Sequence, residues 1–168
     1  LWKPFSSGAG DLFTTIASWR QPRHDVKFGA EAYRWSKHDQ FLKVVDLPTR
    51  TTQEFELALA ACEDEDRRML EGYGWKVRDA STISMDVGAY RAYITQSRGE
   101  FTIAKDQYVR PRSGWFSDRS ATYLAAGRPV ITQDTGFGNH LPTGEGLFAF
   151  STMEDILDAV DRINSDYE

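Results

Sequence analysis

The sequence is poor in cysteine and has no long apolar run. Its 168 residues include one cysteine, Cys62, so an internal disulfide and a Cys/His metal site of standard spacing are both excluded. A single thiol fits a reducing compartment, and we expect a cytoplasmic protein that uses no metal or other cofactor. No apolar segment approaches membrane-spanning length, so we expect neither a membrane span nor a signal peptide.

The sequence also has no excess of positive charge. The chain carries 20 Lys and Arg against 25 Asp and Glu, which gives a net charge of −5. This balance argues against nucleic acid as a partner, although it leaves room for a local basic pocket. Hydrophobic residues make up 40% and charged residues 27%, a composition typical of a globular protein.

The common catalytic motifs are absent as well. The sequence has no Gly-x-Ser-x-Gly elbow and no Walker A lysine motif. Its histidines, His24, His38 and His140, are scattered. The Gly136-Phe-Gly138 turn lacks the third glycine of a dinucleotide fingerprint. We therefore assign no catalytic residue.

Strand-like and helix-like segments alternate along the chain. The residue pattern predicts strands at 12–19, 55–60, 74–79, 100–104, 129–133 and 146–150. It predicts helices ending at 45 and spanning 64–72, 87–97, 117–126 and 153–163, the last opened by a capping box from Ser151 to Glu154. This alternation predicts a single Rossmann-like, three-layer α/β/α domain with a mainly parallel sheet over residues 12–168. Residues 1–11 are predicted to be an irregular N-terminal segment or linker.

Ligands bind beyond the carboxyl ends of the strands in such sheets, which directs attention to loops 19–37, 78–86, 105–116 and 133–145. The most informative run is 114–130. There Ser117, Arg119 and Ser120 fall at a predicted helix start, where free N–H groups and the helix dipole attract phosphate.

Cations are concentrated near this helix start. Lys105, Arg110 and Arg112 lie in the preceding loop, and Arg119 follows. Taken together with the serines, they predict a phosphate or diphosphate pocket rather than a solvated basic loop. Thr135 and Gly136 lie in a polar turn that lets the backbone approach the ligand.

Several neighbouring residues have two interpretations. Asp118 is either the helix cap or a ligand contact, with capping favoured. Trp115 and Phe116 either stack on a base or sugar ring or act as core staples. Arg20 and Lys37 are either surface cations or further phosphate ligands from the first βα unit; Lys37 at a helix start is disfavoured by the dipole, which favours function.

The order of these elements resembles the C-terminal half of a GT-B glycosyltransferase of the group-1, family-4-like kind. The similar features are the Ala125-Ala-Gly-Arg-Pro-Val130 segment, Gly136, the Gly146-Leu-Phe148 turn and the closing helix at 153–163. The resemblance is good over 100–168 and looser over 12–99.

The resemblance implies a nucleotide-diphospho-sugar substrate whose diphosphate binds at the helix that starts near Ser117. Arg20 and Lys37 are the best-placed matches for the family's assisting Arg and Lys. The base is expected against the Val77-Arg78 loop. The partner implied is an N-terminal acceptor domain of the same polypeptide, which this chain lacks; its beginning at Leu1 agrees with a domain from a longer protein.

Two departures from the family limit this hypothesis. The family's two glutamates correspond to Gly114 and Thr122 here, so their roles do not carry over. Thr122 has a hydroxyl for the ribose, and Asp118 lies one turn earlier. A lone half is expected to bind donor weakly, to turn over little, and to expose an interdomain face that permits homo-oligomers. The alternatives are a non-catalytic nucleotide-binding or interaction module and, ranked last, an epimerase or hydrolase.

Overall fold

Strands account for the centre of the protein. The computed structural model describes residues 10–22 and 24–167, and the strands found there are β1 (Leu12–Ser18), β2 (Val26–Phe28), β3 (Glu31–Tyr33), β4 (Glu54–Ala60), β5 (Lys76–Asp79), β6 (Gly99–Thr102), β7 (Val130–Gln133) and β8 (Leu147–Phe150). Six of them form one parallel sheet in the order β5-β4-β1-β6-β7-β8. The remaining two, β2 and β3, pair as an antiparallel hairpin.

Helices cover both faces of the sheet. They are α1 (His38–Phe41), α2 (Asp64–Gly72), α3 (Ser81–Ser84), α4 (Val87–Gln96), α5 (Asp106–Val109), α6 (Asp118–Ala125) and α7 (Met153–Ser165), with 3₁₀ turns at Leu42–Val44, Leu47–Thr49 and Phe137–Asn139. Residues of α1, α2 and α7 join one core cluster, while α4 and α6 join another. The three-layer α/β architecture predicted from the sequence is therefore confirmed.

Aromatic rings fill the core on the α1, α2 and α7 face. Phe55 of β4 lies 5.9 Å from Phe13 of β1 and 5.5 Å from Phe101 of β6, measured between ring centroids. Phe150 of β8 stacks 5.6 Å from Phe101. Because alternate strand residues point to the same face, this row joins four strands in one apolar layer. Each fully buried Phe contributes about 1.5–3 kcal/mol of hydrophobic stabilisation.

Most sequence predictions agree with these elements, and the strands and longer helices end within two residues of the predicted positions. The capping box of α7 was placed one residue too early, since Thr152 is the cap and Asp155 its partner. Three short elements were not predicted: the β2–β3 hairpin, α3 and α5. Of the predicted N-terminal segment, residues 1–9 lie outside the described residues.

None of the described helices combines the length and apolarity needed to cross a membrane.

Gly99 and Gly72 provide a matched test of the packing. A Cβ on Gly99 would lie 2.6 Å from the Pro129 carbonyl oxygen and 2.7 Å from the Phe13 ring, whereas a Cβ on Gly72 meets nothing within 4 Å. Gly99→Ala is expected to lower the free energy of unfolding by about 1–3 kcal/mol through overpacking. Gly72→Ala, at the exposed end of α2, is expected to leave it unchanged or raise it by up to about 1 kcal/mol. Urea denaturation measures both, and equal effects would contradict the packing.

Candidate functional site: the crevice between β1 and β6

The chain reverses its direction of travel across the sheet between β1 and β6. The order of the six parallel strands is that of a doubly wound Rossmann-like sheet. The α1 helix after β1 and the α6 helix after β6 pack into different core clusters on opposite faces. Such a switch point leaves a crevice at the carboxyl ends of the two strands, where ligands bind. A cavity of about 400 Å³ lies here and reaches the ends of β1 and β4. None of the described residues that line it is a carboxylate.

The N-terminus of α6 faces this crevice through Ser117. Ser117 is the N-cap residue, but its hydroxyl makes no capping hydrogen bond. The backbone N–H groups of 118–120 have no acceptor among the described residues. The buried hydroxyl of Ser120 also has no hydrogen-bond partner in the described part of the chain. The helix therefore presents unsatisfied donors and the positive end of its dipole next to the cavity.

Lys37 is the most unusual side chain of the site. It is 6% exposed and lines the cavity, yet its Nζ has no hydrogen-bond or ion-pair partner among the described residues. Burial lowers the pKa of Lys37 well below its usual value, and the positive charge of Arg119 lowers it further. A buried amine without a partner costs stability, which marks it as a candidate anion ligand.

The residues beside Lys37 hold it in place. The Ser36 hydroxyl accepts a hydrogen bond from the Gln21 N–H at 2.8 Å, and the His38 N–H donates to the Trp19 carbonyl. Ser36 and His38 line a separate cavity of about 560 Å³ at the ends of β1 and β4. The segment 36–38 therefore separates the two cavities, and Lys37 lines the crevice.

Lys105 is a second cation of the crevice. Its Nζ lies 3.5 Å from the centroid of the Trp35 ring, a cation–π contact. Partial burial lowers the pKa of Lys105. Like Lys37, it has no ion-pair partner among the described residues.

Arg119 also lines the crevice, but its nitrogens are used within the protein. Nε donates to Glu100 at 2.5 Å, Nη1 to the Ile16 carbonyl at 2.5 Å, and Nη2 to the Thr102 hydroxyl at 2.7 Å. Burial alone would lower the pKa of Arg119, but the charge and hydrogen bond of Glu100 outweigh it and raise that pKa. Lys37, Lys105 and Arg119 together exceed Glu100 by two positive charges when both lysines are protonated.

The predicted convergence of four cations is wrong, since two of the arginines point elsewhere. Arg110 binds Glu31 at 2.6 Å, and Arg112 binds Asp134 at 2.9 Å. The β2–β3 hairpin supplies Glu31, and the turn after β7 supplies Asp134. Both acids are distant in sequence, so spacing alone did not show that these arginines are neutralised.

Arg20 likewise lines a different cavity from Lys37. It makes a bidentate ion pair with Asp66 of α2, with distances of 2.7 and 2.8 Å, and it lines the separate cavity. That pair raises the pKa of Arg20. The expectation that Arg20 and Lys37 reach the same crevice is therefore wrong.

The remaining predicted residues divide between the crevice and the framework. Trp115 lines the crevice. Phe116 packs 5.3 Å from Phe137 in the core, which agrees with its interpretation as a core staple. Asp118 is exposed at the first position of α6 and is not its N-cap, and Thr122 donates to the Asp118 carbonyl.

The turn after β7 supports the loop before α6. Thr135 donates its hydroxyl to the Trp115 carbonyl at 2.5 Å and accepts the Gly114 N–H with its own carbonyl. Gly136 has φ +88° and starts the turn at Phe137–Asn139, so a side chain there would be strained. Neither residue is among those that line the crevice.

The predicted base-binding pair lies on β5. Val77 packs against the core, and Arg78 binds Glu56 at 3.3 Å. The crevice is lined instead by Ala80 and Ser84, which follow β5. Sequence reasoning also missed Tyr108, although its position in the cationic loop beside Trp115 was an available signal.

No group of three or more His, Cys, Asp or Glu side chains in the described ranges is arranged to hold a metal ion.

Comparisons with known proteins show no family for the chain. No protein-family model matches the chain, and no curated protein is significantly similar to it. A solved structure that matches is eIF2B beta from Chaetomium thermophilum, at 14% identity and a TM-score of 0.35. The match covers 76% of this chain and 33% of that one, so the chain spans about a third of the length of the protein it matches. A likeness this remote carries no argument about function.

The buried ion pair can be tested against an exposed one. Glu100 is fully buried, whereas Glu54, which pairs with Lys76 at 2.9 Å, is 58% exposed. Glu100→Gln is expected to lower the free energy of unfolding by about 3–5 kcal/mol because it leaves the Arg119 charge buried and unpaired. Glu54→Gln is expected to cost less than about 1 kcal/mol. Chemical denaturation compares them, and similar losses would contradict the structure.

Lys37 should make stability depend on pH. Its pKa is lowered in the folded chain, so the unfolded chain binds the extra proton between that lowered pKa and ~10.4. The free energy of unfolding should therefore rise with pH across this window, by at most ~1.36 kcal/mol per pH unit for one proton. Lys37→Met should remove this contribution and be more stable at neutral pH. Urea denaturation between pH 7 and 10 measures both effects.

The matched control is Lys27→Met, because Lys27 is exposed on β2. It should retain the slope of the wild-type protein. A Lys37→Met variant that is no more stable than wild type, with an unchanged slope, would show that the buried amine is not destabilising.

Proposed function

We propose that this chain binds a nucleotide-diphospho-sugar in the crevice between β1 and β6, as the donor-binding half of a GT-B glycosyltransferase. The observation that carries the proposal is Lys37, a buried amine that has no partner among the described residues and lies at the cavity where α6 begins without a side-chain cap. The amine of Lys37 and the N–H groups at the start of α6 can both donate hydrogen bonds to a bound anion. Within the described residues, neither has another acceptor.

The charge of the crevice favours a diphosphate over a single carboxylate. With Lys37 protonated in the bound state, its cations exceed its one buried carboxylate by two, although the chain as a whole is acidic. A bound group carrying about two negative charges would neutralise this excess. A cavity of about 400 Å³ is within the usual range for small-molecule sites.

The glycosyltransferase class is supported by the sequence resemblance over 100–168 and by the sheet order. In this proposal the diphosphate is held by Lys37, Lys105 and the N–H groups at the start of α6. Arg119 positions that helix start. A nucleotide sugar is the substrate, and no metal is needed to hold the phosphates.

A second domain completes the enzyme in this proposal. Met85 and Val87 each expose 85% of their surface beside Ser84, which lines the crevice. Exposed apolar side chains next to a ligand site are suited to an interface. The N-terminal acceptor domain of the same polypeptide, or a second copy of the chain, would bury them.

A non-catalytic nucleotide-binding module is the second candidate. It is favoured by Gly114 and Thr122 standing where the family has glutamates, and by the lack of carboxylates among the described lining residues. Both candidates bind the same ligand, but only the glycosyltransferase transfers its sugar to an acceptor. Turnover of a nucleotide sugar by the chain together with an acceptor domain distinguishes them.

Isothermal titration calorimetry with UDP, GDP, ADP and inorganic pyrophosphate tests the proposal. We expect at least one nucleoside diphosphate to bind, with proton uptake because the bound anion raises the pKa of Lys37. Lys37→Met should weaken binding at least tenfold, corresponding to about 1.4 kcal/mol.

Lys27→Met is the control and should bind as the wild-type protein does. If no nucleoside diphosphate and no pyrophosphate binds at millimolar concentration, the crevice is not a diphosphate site. Equal affinities of the Lys37→Met variant and the wild-type protein would also contradict the assignment.

A further inference from the structure

Two aromatic rings stack at the side of the crevice where β6 ends. The rings of Tyr108 and Trp115 lie 4.7 Å apart between centroids and 10° from parallel, and both line the cavity. We propose that this stacked pair binds the nucleobase of the ligand. The inference rests on the proposed function and specifies where the nucleobase lies in the crevice.

The pair is not part of the hydrophobic core. Trp115 and Tyr108 belong to none of the core clusters, unlike the adjacent Phe116, which packs with Phe137. Both residues are partly buried. The Trp115 indole N–H and the Tyr108 hydroxyl make no hydrogen bond within the described residues, so both polar edges are available to a ligand.

Hydrogen bonds within the loop fix the backbone that carries the two rings in the absence of a ligand. The Ser113 N–H and hydroxyl both donate to the Tyr108 carbonyl, at 3.1 and 3.3 Å. The Trp115 carbonyl accepts the Thr135 hydroxyl, and the preceding Gly114 adopts φ +74°. A platform fixed in this way loses little conformational entropy when a planar group stacks on it.

The position agrees with a nucleotide whose phosphates lie at α6. Trp115 is two residues before Ser117, the N-cap of α6, and Lys105 is three residues before Tyr108. Where the crevice follows the ends of β4 and β5, its described lining residues are Ala60, Ala80 and Ser84. Among the described lining residues only Tyr108 and Trp115 are aromatic, so a base finds a π surface on their side of the crevice.

The test compares ligands with and without a base. Calorimetry is performed with pyrophosphate, with the tightest-binding of UDP, GDP and ADP, and with the corresponding nucleotide glucose. Trp115→Leu is expected to weaken nucleoside-diphosphate binding about tenfold while pyrophosphate affinity stays within about twofold. Trp115→Phe keeps an aromatic ring and should recover most of the loss. Lys37→Met should weaken both ligands.

Phe28→Leu, at an aromatic residue exposed by 79% on β2, is the matched control and should change no affinity. Unchanged pyrophosphate affinity shows that a Trp115 variant is folded. If Trp115→Leu weakens only the nucleotide glucose and not the nucleoside diphosphate, the ring stacks on the sugar and the inference is wrong. If Trp115→Leu changes nothing while Lys37→Met weakens both ligands, the inference fails alone. If no ligand binds the wild-type protein, the inference and the proposed function fail together.

Discussion

The buried ion pair between Arg119 and Glu100 determines how the rest of the site is arranged. Through it, α6 is fixed to β6, and the same guanidinium reaches the carbonyl of Ile16 on β1. The two strands that border the crevice and the helix that begins at it are therefore joined by one side chain. Because the pair is neutral and buried, it positions the helix start without supplying the free charge that a ligand needs.

The free charge comes from two lysines that the fold removes from the acidic surface. The chain has a net charge of −5, and two arginines predicted to bind the ligand are instead paired with acids, Arg20 with Asp66 and Arg112 with Asp134. Lys37 and Lys105 have none within the described part of the chain. A protein with a negative net charge thus contains a positively charged crevice. The unfavourable burial of Lys37 is the kind of local instability that folded proteins retain where a ligand compensates for it.

Local patterns were sufficient for the architecture but not for the short elements. Helices such as α4 and α7 have enough turns to show a period of 3.6 residues, and the buried strands are bounded by turn residues. The β2–β3 hairpin, α3 and α5 have three or four residues per element, too few to show any period. These missed elements matter, since the hairpin neutralises Arg110 and α5 carries Tyr108 into the crevice.

The sequence by itself determined the order of strands and helices, the α/β class and the helix start at Ser117, because these depend on residues close together in the chain. It did not determine which cations are free. Arg20 and Asp66 are 46 residues apart, and Arg110 and Glu31 are 79 apart. Only the tertiary structure brings such partners within hydrogen-bond distance, and it alone leaves Lys37 buried without one. A predicted cluster of four cations thus became a crevice with two lysines, one helix start and an aromatic pair, because ion pairing follows distance in space rather than distance in sequence.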